Sequence, residues 1–152
     1  METLEPLLAA HPFARDLSPA HLHLLVGCAR NVRFDAGQFV FREGEDASAF
    51  YLIRDGRIAL EVATPTATLT LMTLGPGEVL GWSWLFPPYR WKFDARALEL
   101  TRAIALDAEC LRTKSEADHE LGYHLLKQFA FMVEQRLHAT RLQLLNAYDR
   151  TA

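Results

Sequence analysis

Glycines set at the corners of short apolar runs constrain this sequence more than any other feature. They punctuate GQFVFREGEDASAFYLIRDGRIALE from Gly37 to Glu61 and LGPGEVLG from Leu74 to Gly81. Between the glycines the apolar period is two, which predicts strands near Val32–Phe34, Phe39–Arg42, Phe50–Ile53, Ile58–Val62, Leu69–Leu74, Phe93–Ala97 and Arg102–Leu106. Asp55-Gly56 reads as a hairpin turn, because both residues tolerate the positive φ of a primed turn. Gly37, Gly44, Gly75, Gly77 and Gly81 fall at the other corners, where a bend excludes a Cβ. Strands this short and this regularly broken predict a rolled, closed β unit rather than a flat sheet.

Helical signals flank the roll. Leu4, Leu7 and Leu8 form a short apolar face. Ser18-Pro19 starts a second helix, carried on by Leu22, Leu25, Val26 and Ala29. Asp107 caps a short helix through Cys110 and Leu111, and Ser115 or Asp118 caps a longer one. From Asp118 to Tyr148 there is no proline and one glycine, Gly122. Leu126, Ala130, Val133, Leu137, Thr140, Leu144 and Ala147 make one stripe along that helix; Leu121, Leu125, Met132, Ala139 and Leu142 make a second. Two stripes allow a helix to pack on its own roll and against a second copy at once. The alternative is one broad face folded back on its own core. The predicted fold is mainly β with flanking helices: a double-stranded β-helix (a cupin-like roll) with N-terminal helices and a long C-terminal helix. It reads as a single domain over 1–152, with a helical lead-in at 1–30, the roll at 31–107 and helices at 108–148.

Half of the 152 residues are hydrophobic and 23% are charged, a globular composition. A net charge of −3 gives no general attraction to nucleic acid or anionic lipid. No apolar run reaches the roughly 20 residues of a membrane-spanning helix, and Glu2 and Glu5 stand where a signal peptide would be basic. Cys28 and Cys110 read as two isolated thiols, neither a metal site nor a disulfide, which fits a reducing cytoplasm. His11, His21, His23, His119, His124 and His138 form no ligand motif for haem, and two cysteines are too few for an iron–sulfur cluster.

Gly37, Gly44, Tyr51, Ile53, Gly56 and Gly77, in this order and between these helices, resemble the cyclic-nucleotide-binding domain of the Crp/Fnr regulator superfamily. The resemblance implies a ligand pocket bordered by the long helix, which also makes the dimer contact. In nucleotide-binding members a Gly-Glu pair and a later arginine hold the ribose and the cyclic phosphate. Here Gly81 aligns with the glycine, Trp82 takes the glutamate position, and the arginine position falls at Trp91 or Lys92. Loss of the ribose acceptor costs about 1–3 kcal/mol, and an unpaired, desolvated phosphate is worse. Tight binding of cyclic AMP or cyclic GMP is therefore not expected unless Arg90 or Lys92 compensates.

Trp82, Trp84, Phe86, Tyr89, Trp91 and Phe93 place six aromatics in twelve residues. They either line a pocket for a planar effector held by Arg90, Lys92 or Arg96, or fill and cover the roll. A ligand site, if present, is expected at Gly81, Trp82, Ser83, Arg90, Trp91 and Lys92, with Leu121 and Leu125 as its lid; the effector itself is left unknown. Superfamily regulators continue into a helix-turn-helix domain. Only Asn146 to Ala152 follow Leu145 here, and Arg136, Arg141 and Arg150 read as a solvated helix face, so no DNA binding is expected. Glu43, Glu45 and Asp46 read as turn residues, and no nucleophile sits in a recognisable motif, so no enzyme is expected. The functional expectation is a cytoplasmic homodimeric sensor that binds a small effector and signals to a protein partner; the alternative is a ligand-free dimerisation module.

Overall fold

A computed structural model of the protein describes residues 4–151, with the side chains of Arg150 and Thr151 outside that description. Helix α1 (Leu4–Ala10), a 3-10 turn (Pro12–Ala14) and α2 (Pro19–Val26) lead in. Ser18 caps α2 as its sequence requires, its Oγ accepting from the His21 N–H at 3.2 Å. The helix stops at Gly27, and Ala29, expected to continue it, opens β1 (Ala29–Phe34). Pairing across the sheet, Ala29 opposite Leu106, overrides the helical spacing.

The roll is built from β1, β2 (Phe39–Phe41), β3 (Ala49–Asp55), β4 (Ile58–Ala63), β5 (Thr68–Leu74), β6 (Val79–Leu80), β7 (Asp94–Ala97) and β8 (Thr101–Asp107). Two four-stranded antiparallel sheets run in the orders β1-β8-β3-β6 and β2-β7-β4-β5. The mainly β architecture with flanking helices is thus as the glycine pattern requires. The two-residue β6, opposite Leu52 and Tyr51, is too short to show a period and escapes sequence analysis. Asp55-Gly56 is not a hairpin between paired strands. It hands the chain from β3 in one sheet to β4 in the other, with Gly56 at φ +94°. A turn signal reads the local reversal, whereas strand partners are chosen by the whole roll.

One core fills the space between the sheets and reaches the helices. Phe50 stacks on Trp84 with centroids 4.8 Å apart, and Phe129 meets both edge-on at 5.0 and 5.4 Å. Asp107 caps α3 (Ala108–Ala117) through the Cys110 N–H at 2.8 Å. Asp118 caps α4 (His119–Thr151) through the Leu121 N–H at 3.1 Å. Leu121, Leu125 and Phe129 seat α4 on the roll, with Met132 partly buried behind them. Residues 140–149 are exposed along the far half of the helix. The stripe of Leu126, Val133, Leu137 and Leu144 is exposed as well.

Cys28 and Cys110 are not free thiols. They form a disulfide with Cα atoms 5.7 Å apart, across a sequence separation of 82. The β1–β8 register explains why spacing concealed it. With Ala29 opposite Leu106, the residue before β1 meets the first turn of α3, where the backbone N–H of Asp107 donates to the carbonyl of Cys28 at 2.9 Å. The expectation of isolated thiols is overturned, and with it the argument that cysteine usage points to a reducing compartment.

Candidate ligand site at the mouth of the roll

Trp91 and Gly81 define this region. Trp91 is 4% exposed, and its indole stacks on Phe41 from β2 with centroids 3.7 Å apart and planes 5° apart. The six-membered ring reaches across to Gly81, just after β6, so that a Cβ there would lie 2.5 Å from it. Gly81 also sits at φ +100°, so both backbone conformation and space demand glycine. The backbone clamps Trp91 in place: its N–H donates to the carbonyl of Glu45 at 3.0 Å, and its carbonyl accepts from the Gly44 N–H at 2.8 Å.

The basic residues near this segment are engaged at its rim or on the sheet. Arg90 donates to the carbonyl of Gly44 at 2.9 Å and lies 3.4 Å from Asp46, pointing to the acidic turn. Lys92 stands exposed. Arg96 is committed to Glu61 through two bonds of 2.9 Å, and these hold the Glu61 carboxyl below the usual carboxylate range. Asp46 pairs with Arg90, and Glu45 Oε1 accepts from the Arg42 N–H at 2.6 Å, so these two acids shape the turn.

Trp82 is half-buried and Ser83, at the start of the 3-10 turn Ser83–Leu85, is buried. The cation beside them comes from α4, and sequence analysis missed it. Arg136, read as part of a solvated face, turns inward instead. Its Nη2 donates to the carbonyl of Val79, its guanidinium lies 5.2 Å above the Trp82 ring, and its Nη1 is buried with no partner. Burial pulls its pKa down to about 10. Nothing in the sequence marked it, since only the β6 carbonyl and the Trp82 face single out position 136. Arg141 is exposed, and the Arg150 side chain lies outside the described residues.

The structure therefore divides the expected site. Trp91 lies against Gly81, and Arg136 from the helix lies over Trp82, while Ser83, next in the chain, is buried. Arg90 and Lys92 face outward. Leu121 and Leu125 belong to the seat of α4, and Leu125 borders a separate groove of about 590 Å³ between the Leu85–Tyr89 loop and the α3–α4 pair. The aromatic run divides too. Trp91 and Phe93 pack about Phe41, Trp84 enters the core, and Phe86 and Tyr89 flank the groove. No group of three or more His, Cys, Asp or Glu poised to hold a metal ion occurs among the described residues.

The family model of the cyclic nucleotide-binding domain matches residues 31–118, and the chain belongs to that family. It is of the regulatory Crp/Fnr type. A CRP-like cAMP-activated global transcriptional regulator of Mycobacterium tuberculosis is 26% identical over 128 residues, which cover 84% of this chain and 57% of the relative. This chain thus spans little more than half of that regulator's length. A protein from Geobacter metallireducens named for cyclic nucleotide binding has a similar structure: TM-score 0.80, 28% identity, 91% of this chain and 100% of that one. The Thermus thermophilus catabolite activator protein, at TM-score 0.71 and 24% identity over 90% of this chain and 63% of its own, shares the fold. So does the sensor domain of the regulator DNR from Pseudomonas aeruginosa, at TM-score 0.71 and 23% identity, covering 89% of this chain and 91% of that one.

Proposed function

We propose that this chain is the sensing part of a regulator: it binds a small effector other than cyclic AMP or cyclic GMP and dimerises along α4. Through that helix it signals to a partner protein. The observation that carries this reading is the Trp91 ring packed against Gly81 and Phe41. The position where the family resemblance calls for a phosphate-binding arginine falls at the buried Trp91 or at the exposed Lys92 beside it, and Trp82 falls where it calls for the ribose acceptor. Neither tryptophan offers an anion or a hydroxyl what those positions must supply.

Arg136 supports the signalling half of the reading. It ties the middle of α4 to the β6 carbonyl and the Trp82 face, so a change around Gly81 to Ser83 alters the seating of the helix. The exposed stripe of Leu126, Val133, Leu137 and Leu144 supplies the apolar face that a second copy would cover. No catalytic role is assigned, and no helix among the described residues is long and apolar enough to cross a membrane. DNA binding is not assigned to these residues.

A ligand-free interaction module is the second reading, favoured by the same Phe41–Trp91 stack if it stays closed in every state. Native mass spectrometry of the protein as purified separates the two. A dimer carrying one co-purified small molecule per chain is the expected result. A dimer of bare chains, unchanged by metabolite extracts, would favour the module.

A further inference from the structure

The groove beside α3 and α4 has the attributes of a ligand site that the mouth of the roll lacks. Its volume of about 590 Å³ suits a small molecule. Phe86 and Tyr123 line it while 60% and 62% exposed, and Tyr89 adds a third ring. Rings left this open within one concavity are the surface a flat apolar ligand covers well. Trp84, another wall residue, is 1% exposed, yet its indole N–H is buried with no acceptor. A buried donor without a partner is rare in a native structure and calls for an explanation.

The charge in the groove is specific. Arg112 lies 4.6 Å over the Tyr89 ring and donates through one nitrogen to the carbonyl of Trp84 at 2.6 Å. No acceptor among the described residues takes the rest of its planar fork, which suits a carboxylate. Glu116, one turn further along α3, also lines the groove and would repel a second acidic group at its own end. We infer that this groove binds a planar aromatic monocarboxylate, its ring among Phe86, Tyr89 and Tyr123 and its acid on Arg112. This deepens the effector reading above and rests on it, while moving the ligand from the mouth of the roll to the outer face of the Leu85–Tyr89 loop. The ligand would then touch α3, α4 and the loop together.

Calorimetric titration of the intact chain with indole-3-acetate tests the assignment, with indole-3-acetamide as the uncharged control. The acid should bind with one site per chain, and the amide about tenfold more weakly. Arg112→Gln should erase the difference between the two. The double variant Phe86→Ala/Tyr123→Ala, which alters only exposed rings, should weaken both by about tenfold or more. Phe131→Ala, an equally exposed ring on another part of α4, should change neither. Wild-type affinity in the double variant overturns the site, as does absence of binding in the wild type. A double variant that alters only self-association would make the groove a protein interface and also overturn it. Binding lost in Trp82→Ala but kept in the double variant would overturn this site while leaving the effector reading intact.

Discussion

Position 81 admits only glycine because a tryptophan ten residues later lies against it. The sequence offered half of that pair. A glycine after an apolar run was legible, whereas Trp82 at the glutamate position is what the family resemblance implies. That Trp91 turns inward and stacks on Phe41 was not, because an aromatic in a dense aromatic run fits core and pocket equally well until strand register is known. Arg136 shows the same limit from the other side. An arginine on a helix rich in charge reads as solvated, and only the Val79 carbonyl and the Trp82 face draw it in. His11 gives this scale its test. It is buried between the Phe13 N–H, which its Nδ1 accepts at 3.1 Å, and the Ile53 carbonyl, 3.2 Å from Nε2. Those bonds need the neutral ring, and burial lowers its pKa below the ordinary 6.5. The native state therefore takes up its proton later than the unfolded chain as pH falls. Stability is whole above that ordinary value and declines as the pH drops through it. Chemical denaturation at a series of pH values between about 7 and 5 should show this loss, and His11→Gln should flatten it. A slope unchanged in the variant would assign the effect elsewhere.

The elements were largely legible, and their partners were not. Seven of the eight strands fall where alternation and glycine corners put them. The Asp55-Gly56 turn and the Cys28–Cys110 pair failed for one reason: both depend on which strands lie side by side, and local pattern carries no such information. The disulfide clasps the start of β1 to α3, immediately before the helix assigned to signalling. Closing a loop of about 80 residues should contribute about 4 kcal/mol through the unfolded chain. Reduction, or the Cys28→Ser/Cys110→Ser variant, should accordingly lower Tm by about 10 °C. Scanning calorimetry with and without reductant measures it, and a Tm indifferent to reductant would show that the clasp contributes nothing. The same comparison sets how firmly α3 is held when the disulfide is reduced.

For the whole molecule, the long helix divides its labour along its length. The Leu121, Leu125 and Phe129 end seats it on the roll, while Leu126, Val133, Leu137 and Leu144 face solvent. The Leu126–Leu144 stripe and the Leu121–Leu125 stripe are separable in the sequence because a period near 3.5 is visible without tertiary knowledge, whereas which stripe meets the roll is not. Placing a charge at Leu137, 48% exposed in the single chain, should abolish the proposed dimer and spare the fold. Sedimentation velocity of Leu137→Glu should show monomers with unchanged circular dichroism, and a persistent dimer would move the contact off this stripe.

The most direct trial of the central claim is a calorimetric titration of the oxidised protein with cyclic AMP. With Trp91 against Gly81 and Trp82 at the proposed acceptor position, no saturable heat should develop up to about 1 mM nucleotide, a binding free energy weaker than about −4 kcal/mol. A one-to-one isotherm in the micromolar range would contradict the account. It would mean that the Trp91–Phe41 stack opens and that Arg136, Arg90 or Lys92 receives the phosphate.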